Sequence, residues 1–238
     1  MLIGRFFLAL RLAAGRPLPE GGATQGIGVW LPAVGLALGV LIAVTVRIAM
    51  SIDVWFAALA GLVAWVGLSG ARPLAGLATI CRAPGDDGAP GAPPVGSIVV
   101  TLAMIAMLIL LMLLSLHGGW WSLALLLAWA RFAPLMWVTS LPPAATENAE
   151  PALAAWVVDP AQPTRWAVVL FIASLVVNWA LLAAPIAIVG WRLWMKRRPV
   201  TGAPGGLTVE RLFAGIVLVE LASLACVVVR LMMADYGA

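Results

Sequence analysis

The sequence is poor in charge. Asp, Glu, Lys and Arg make up 10% of its 238 residues, whereas 63% are hydrophobic, and the mean hydropathy is +1.08. A typical soluble domain carries about 25% charged and about 45–50% apolar residues. The composition therefore excludes a water-soluble globular protein. The apolar residues come in runs that match the ~20 helical residues needed to cross a ~30 Å hydrocarbon core, which predicts a multi-spanning membrane protein.

Residues that build metal and redox centres are also scarce. The chain has two cysteines, Cys81 and Cys226, far apart in sequence, and one histidine, His117. No zinc or haem site can be assembled from these donors at the usual spacings. Nucleic acid is excluded as a partner as well, because the basic residues form no dense stripe with interleaved aromatic residues.

Seven membrane crossings are predicted, with six as the alternative. The segment 165–194 would form a single helix of ~45 Å, which is too long for one crossing and short for two, and we favour a tight hairpin turning near residues 178–184. Residues 1–15 are interpreted as a retained amphipathic helix on the membrane surface. The predicted fold is therefore all-α, a single polytopic membrane domain over residues 1–238. The other predicted spans are residues 26–46, 54–68, 95–116, 120–138 and 207–232.

Two polar stretches, residues 69–94 and 140–165, are predicted to be loops. Both contain charged residues and many glycines or prolines, which excludes them from lipid. The N-terminal arginines place the N-terminus in the cytoplasm by the positive-inside rule. Counting the spans then puts both loops on the same cytoplasmic side. The positive-inside rule puts the basic cluster of residues 192–198 there too, which requires an even number of crossings between Arg165 and Arg192.

Two charged residues fall inside predicted spans. A charge such as Arg131 costs roughly 2.5–3.5 kcal/mol there, so it needs an anionic partner, a water-filled cavity or an interface that its stem can reach. Glu220 follows Glu210 by ten residues, close to three helical turns, and so lies near the same helix face about 15 Å deeper. Glu220 is therefore either a site carboxylate or the partner of Arg131 or another arginine.

Asp86 and Asp87 are adjacent in the first polar stretch. Mg²⁺ prefers a few carboxylates together with phosphate oxygens, so this pair is a candidate metal site. The alternative is a solvated turn, because Asp followed by Gly is common in turns.

Several stretches, in the same order along the chain, resemble the cobalamin synthase family, the adenosylcobinamide-GDP ribazoletransferases of bacterial inner membranes. Arg198–Leu221, RPVTGAPGGLTVERLFAGIVLVEL, is similar to the family's basic end followed by GG-x-TGDTLGA and an acidic -ELGEL run. Leu31–Gly39, LPAVGLALG, is similar to FPLVGLLIG. Ala130–Ala144, ARFAPLMWVTSLPPA, is similar to RWA…LPYA, which aligns Arg131 with a family arginine.

A further stretch resembles the family's acidic signature, HLDGLADT-x-DG, whose carboxylates are thought to organise Mg²⁺ and phosphates. It is Pro73–Ala83, PLAGLATICRA. The positions kept are Leu74, Gly76, Leu77 and Ala78. The positions where this chain has other residues in place of the family's acids are Ala75, Thr79 and Arg82.

The resemblance implies a Mg²⁺-dependent transferase that joins adenosylcobinamide-GDP to α-ribazole, or to its phosphate, and releases GMP. It implies catalytic roles for Glu210 and Arg131. The substrate-binding residues implied are Gly76, Gly205, Gly206 and Thr208, and the metal-binding residues are Asp86, Asp87, Glu210 and Glu220. The implied partners are the membrane lipid, the corrinoid nucleotide and α-ribazole, with further copies of the chain or other cobalamin-assembly enzymes. The implied location is the bacterial inner membrane.

Two other functions stay open. The replaced acids favour a catalytically degenerate family member that acts as a membrane scaffold or corrinoid-binding protein. A small transporter is suggested only by the intramembrane Arg131 and Glu220. Transporters of that kind have paired repeats, and none is visible in the sequence.

Overall fold

The computed structural model of the protein describes residues 2–13, 26–81, 95–142, 156, 159, 161–197 and 207–236. In this part of the chain every regular element is helical, which confirms the all-α prediction. The helices are α1 (Leu2–Ala13), α2 (Leu31–Ala49, preceded by a 3-10 turn at Ile27–Trp30), α3 (Val54–Ser69), α4 (Arg72–Ile80), α5 (Val95–Leu116), α6 (Ser122–Val138), α7 (Ala161–Val177), α8 (Ala183–Arg197, preceded by a 3-10 turn at Trp179–Leu182) and α9 (Val209–Tyr236).

Three of the described helices are long and apolar enough to cross a membrane. They are Ile27–Ala49, Val95–Leu116 and Val209–Asp235. Helices α3 and α4 together form a fourth candidate, bent by 82° at their junction. Helices α6 and α7 are apolar but have 17 residues each, the short end of the range for a simple crossing. The protein is a multi-pass membrane protein, and the total of seven or six crossings stays a prediction.

The predicted loop at residues 69–94 is wrong over Arg72–Ile80, which forms α4. Gly70 ends α3 in a left-handed conformation with φ 73°, which redirects the chain, and Pro73 lies in the first turn of the new helix. Pro73, Leu74 and Leu77 are buried, so contact with the rest of the protein stabilises this short helix. Residues 82–94 lie outside the described part.

The predicted loop at residues 140–165 is wrong at its end, because α7 begins at Ala161. The carboxylate of Asp159 accepts a hydrogen bond from the Ala161 N–H at 3.0 Å. Such side-chain acceptors satisfy backbone donors at a helix start and favour initiation there. Residues 143–155 lie outside the described part.

The chain breaks where the sequence predicts a hairpin turn. Helix α7 ends at Val177, and the Asn178 side chain accepts from the Ala180 N–H at 3.1 Å and donates to Ser122 Oγ at 3.3 Å. Helix α8 then returns along α6, where Trp137 Nε1 donates to the Ile188 carbonyl at 3.0 Å. The break is confirmed, and the number of crossings on its two sides stays a prediction.

Helix α6 is the centre of the bundle. Every residue from Ser122 to Leu135 is buried. Helix α2 packs along it antiparallel through Gly35 and Gly39, a GxxxG pair. A Cβ at Gly35 would lie 2.3 Å from the Leu127 carbonyl oxygen, and one at Gly39 would lie 2.4 Å from that of Leu123. The two helix backbones are therefore in direct contact.

The packing directions place one set of helix ends together. Helix α9 runs antiparallel to α6, since Gly215 contacts Trp137 while Gly119, just before α6, contacts Leu231. The beginnings of α2, α5, α7 and α9 and the ends of α3, α6 and α8 consequently lie at one end of the bundle, which we call the polar end. This arrangement agrees with the predicted grouping of the polar stretches and the basic cluster on one side.

We expect Gly39→Ala to destabilise the protein by about 1–3 kcal/mol, because the added methyl must push the α2 and α6 backbones apart. Gly67→Ala in α3 is the matched control, since nothing lies within 4 Å of its added Cβ. Thermal unfolding of the purified protein in detergent measures both. Equal melting temperatures for the two variants would contradict the close α2–α6 contact.

Candidate functional site

Helix α4 docks on the first turns of α9 at the polar end. A Cβ at Gly76 would lie 2.7 Å from Phe213 Cβ and 2.8 Å from the Glu210 carbonyl oxygen. Only glycine allows the backbones to approach so closely. Two stretches that are distant in sequence, Pro73–Cys81 and Leu207–Leu221, are thereby brought together.

The start of α9 is fixed by hydrogen bonds. Thr208 Oγ1 accepts from the Arg211 N–H at 3.3 Å, as a capping residue does. The Leu207 N–H donates to the Pro142 carbonyl at 2.9 Å, which ties this residue to the chain that follows α6. The helix N-terminus is thus held in a defined position beside α4.

Aromatic side chains of α8 support the same turn. Trp191 Nε1 donates to the Arg211 carbonyl at 3.1 Å, and the Trp191 and Trp194 rings stack with centroids 4.4 Å apart. The Arg211 guanidinium carbon lies 5.9 Å from the Trp194 ring centroid, a cation–π arrangement. The positive charge of Arg211 therefore lies beside the N-terminus of α9, where the helix dipole also places partial positive charge.

Exposed side chains surround this junction. Glu210 in the first turn of α9 is exposed, as is Arg72 at the start of α4. Ala75 and Thr79 lie on the exposed face of α4. The junction therefore offers positive charge for an anionic ligand and one carboxylate that can accept a proton.

A buried ion pair lies deeper in the bundle. Arg131 of α6 and Glu220 of α9 are 1% and 2% exposed, and Arg131 Nη1 is 3.3 Å from Glu220 Oε1. The buried indole N–H of Trp65 in α3 has no hydrogen-bond partner among the described residues. Helices α6 and α9 are thus linked by a charged pair in the interior of the bundle. The sequence predicts Glu220 to be either a site carboxylate or the partner of an arginine. The observed geometry is that of a pair with Arg131.

The predicted site residues fall into three groups. Gly76, Thr208 and Glu210 meet at the α4–α9 junction, whereas Arg131 and Glu220 form the buried pair. Glu220 lies ten residues beyond Glu210, about 15 Å along the helix. The remaining ones, Asp86, Asp87, Gly205 and Gly206, lie outside the described residues. Within the described part, no group of three or more His, Cys, Asp or Glu side chains could hold a metal ion.

Sequence reasoning missed several contacts. Trp191 and Trp194 lie three residues apart near the basic cluster, and this spacing does not predict their contacts with Arg211. Nothing in the sequence around Arg211 predicts its contact with α8. His117 has its Nδ1 paired with the Asp235 carboxylate at the end of the bundle opposite the polar end. A separation of 118 residues leaves no local pattern for that pair.

Comparison with known proteins identifies similar sequences. The family described as cobalamin-5-phosphate synthase matches residues 5–228. An adenosylcobinamide-GDP ribazoletransferase from Laribacter hongkongensis (strain HLHK9) is 41% identical over 123 residues, which is 50% of this chain. The matched region spans about half the length of that curated relative, 47%. No solved structure matches.

We expect removal of either partner of the buried pair to destabilise the protein by about 3–5 kcal/mol, because the other charge is left buried and unpaired. Arg131→Met and Glu220→Met are the single variants, and the double variant should recover most of the stability. A double-mutant cycle of unfolding in detergent gives the coupling. Additive losses in the double variant would mean that the two side chains do not interact.

Proposed function

The chain belongs to the cobalamin-5-phosphate synthase family, and from that premise we propose that it is a transferase joining adenosylcobinamide-GDP to α-ribazole or its phosphate. An oxygen of α-ribazole attacks the phosphorus attached to the corrinoid side chain. The bond from that phosphorus to the bridging oxygen breaks, and GMP leaves. The observation that carries the proposal is the docking of α4 on α9, which unites two stretches resembling the family's motifs.

The polar groups of the junction suit this substrate. A diphosphate is anionic, and the N-terminus of α9 with Arg211 beside it presents positive charge. Arg72 at the start of α4 adds a second cation at the same end. We assign the diphosphate to this region, next to the capping residue Thr208.

Glu210 is the carboxylate that we assign to the chemistry. It is exposed in the first turn of α9, and its own carbonyl oxygen contacts the position of Gly76. From there it can take the proton of the attacking hydroxyl, as a general base. Arg131 is buried against Glu220, so its proposed role is to hold α6 and α9 together rather than to touch phosphate.

A requirement for Mg²⁺ is part of the proposal by resemblance. Mg²⁺ would supply charge neutralisation at the phosphates. The described residues do not fit a metal site, because Glu210 stands alone at the junction and Glu220 is paired with Arg131. A site would need further carboxylates, for which Asp86 and Asp87 are the candidates from the sequence.

The alternative is a catalytically degenerate member that binds corrinoid or acts as a membrane scaffold. Ala75 and Thr79, which by the resemblance replace family acids, lie on the exposed face of α4 beside the junction. Neither side chain can bind a metal as a carboxylate does. The alternative therefore predicts corrinoid binding without product.

We further propose the bacterial inner membrane as the location, with the polar end in the cytoplasm. Exposed basic residues of α1, α4 and α8 lie at that end, as the positive-inside rule expects. They are Arg5, Arg11, Arg72, Lys196 and Arg197. Further copies of the chain or other cobalamin-assembly enzymes are the proposed protein partners.

The decisive experiment is turnover of the purified protein in lipid with adenosylcobinamide-GDP, α-ribazole and Mg²⁺. The joined corrinoid and GMP should appear in equal amounts, and both should vanish with a chelator. Product that persists with the chelator would reject the Mg²⁺ requirement. Binding of adenosylcobinamide-GDP without product, beside an active relative, would favour the degenerate alternative.

We expect Glu210→Gln to lower turnover at least about 100-fold, the usual contribution of a general base, with an unchanged melting temperature. Asp235→Asn, which removes an exposed carboxylate at the opposite end of the same helix, is the matched control. Initial rates at saturating substrate measure both variants. Full activity of Glu210→Gln would exclude Glu210 from the chemistry.

A further inference from the structure

A cleft opens between α7 and α8 on the outer side of α6. Its volume is about 340 Å³, and its lining is almost wholly apolar. The floor comes from α6 and the walls from the other two helices. Its lining includes Trp129, Ala167, Val168 and Ile188.

The walls of the cleft are fixed to its floor by hydrogen bonds. Trp129 Nε1 donates to Ser174 Oγ of α7 at 2.9 Å, and Trp137 Nε1 donates to the Ile188 carbonyl of α8 at 3.0 Å. These bonds lie between buried groups. The cleft is thus a formed feature of the fold, and a chain-like apolar ligand can enter it without separating the helices.

A second recess adjoins the cleft at Val168, nearer the polar end. This recess, about 590 Å³, is lined by Ala161, Thr164, Arg165 and Val168, and Val168 also lines the cleft. These positions follow helical spacing on one face of α7. Arg165 therefore lies one turn from the apolar cleft, on its polar side.

An arginine of α8 occupies the matching place on the other wall. Arg192 follows Ile188 by four residues and so lies on the same helix face, one turn nearer the polar end. Its Nε is buried and has no hydrogen-bond partner among the described residues. The only described carboxylate near the start of α7, Asp159, caps that helix through the Ala161 N–H. Neither arginine forms an ion pair in the part of the chain that the structure describes.

We propose that this cleft binds one anionic phospholipid, with an acyl chain between α7 and α8 and the phosphate between Arg165 and Arg192. Two guanidinium groups at one end of an apolar groove complement a phosphodiester joined to a hydrocarbon chain. The positions of these groups match those of a phospholipid in a bilayer, because the arginines lie at the polar end and the apolar lining lies deeper. The site is separate from the α4–α9 junction and does not depend on the proposed transferase activity.

The test is lipid retention by the whole protein in neutral detergent, measured by native mass spectrometry. One phosphatidylglycerol should stay bound under conditions that strip phosphatidylcholine. Arg165→Gln and Arg192→Gln should each weaken retention about fivefold, the effect expected for one basic residue at an anionic lipid. Arg197→Gln, on another face of α8, is the control of equal charge and should bind as the unmodified protein does.

Filling the apolar part of the cleft tests whether an acyl chain binds there. Ala167→Phe fills the cleft and should abolish retention with both arginines in place. Val176→Phe makes a similar change on the exposed side of α7, where the side chain is 80% exposed, and should have no effect. Equal binding of the two lipids, arginine variants that match Arg197→Gln, or full retention by Ala167→Phe would each overturn the proposal. Displacement by excess glycerol phosphate would also overturn it, since that result shows a site for phosphate alone.

Discussion

Helix α6 is buried from Ser122 to Leu135, and the remaining architecture depends on this burial. It requires other helices on every side of α6 except at the floor of the α7–α8 cleft. Helix α2 reaches its backbone through Gly35 and Gly39, and α9 covers another side. The indoles of Trp129 and Trp137 then donate outward to α7 and α8, which satisfies the only polar groups that these side chains carry. The positions of the other helices are therefore set relative to α6.

The buried ion pair makes one of these positions specific. Apolar packing in lipid tolerates small shifts, because lipid tails are as apolar as the side chains they replace. A shift of one residue along α9, however, would rotate Glu220 by about 100° and leave Arg131 unpaired. The cost of an unpaired buried charge is several kcal/mol, so the pair selects one register of α9 on α6. That register decides which residues of α9 reach α4, about 15 Å away at the polar end.

The sequence predicted the features that depend on local composition. Long apolar runs identified α2, α5 and α9, because the thickness of a bilayer fixes their length. Helix α4 was missed, since its stability comes from contact with Phe213 and Glu210, more than 130 residues away. The start of α7 was missed although Asp159 is a common capping residue. The pairing of Arg131 with Glu220 was one of two alternatives, and only the packing of α6 on α9 could decide between them.

The α4 positions that match the family stretch are buried or half-buried, and those that lack its acids are exposed. This difference bears on the chemistry of the α4–α9 junction. Leu74, Gly76 and Leu77, which the family stretch shares with this chain, are buried or in contact with α9. Ala75 and Thr79, where the chain departs from it, are exposed. Packing against α9 constrains the buried positions, since even a methyl group at Gly76 meets backbone atoms. The exposed positions carry no such constraint, so they can change while the junction keeps its shape. Ala75 and Thr79 therefore supply no carboxylate to this junction, and Glu210 on the facing helix is the described carboxylate that the same packing holds in place.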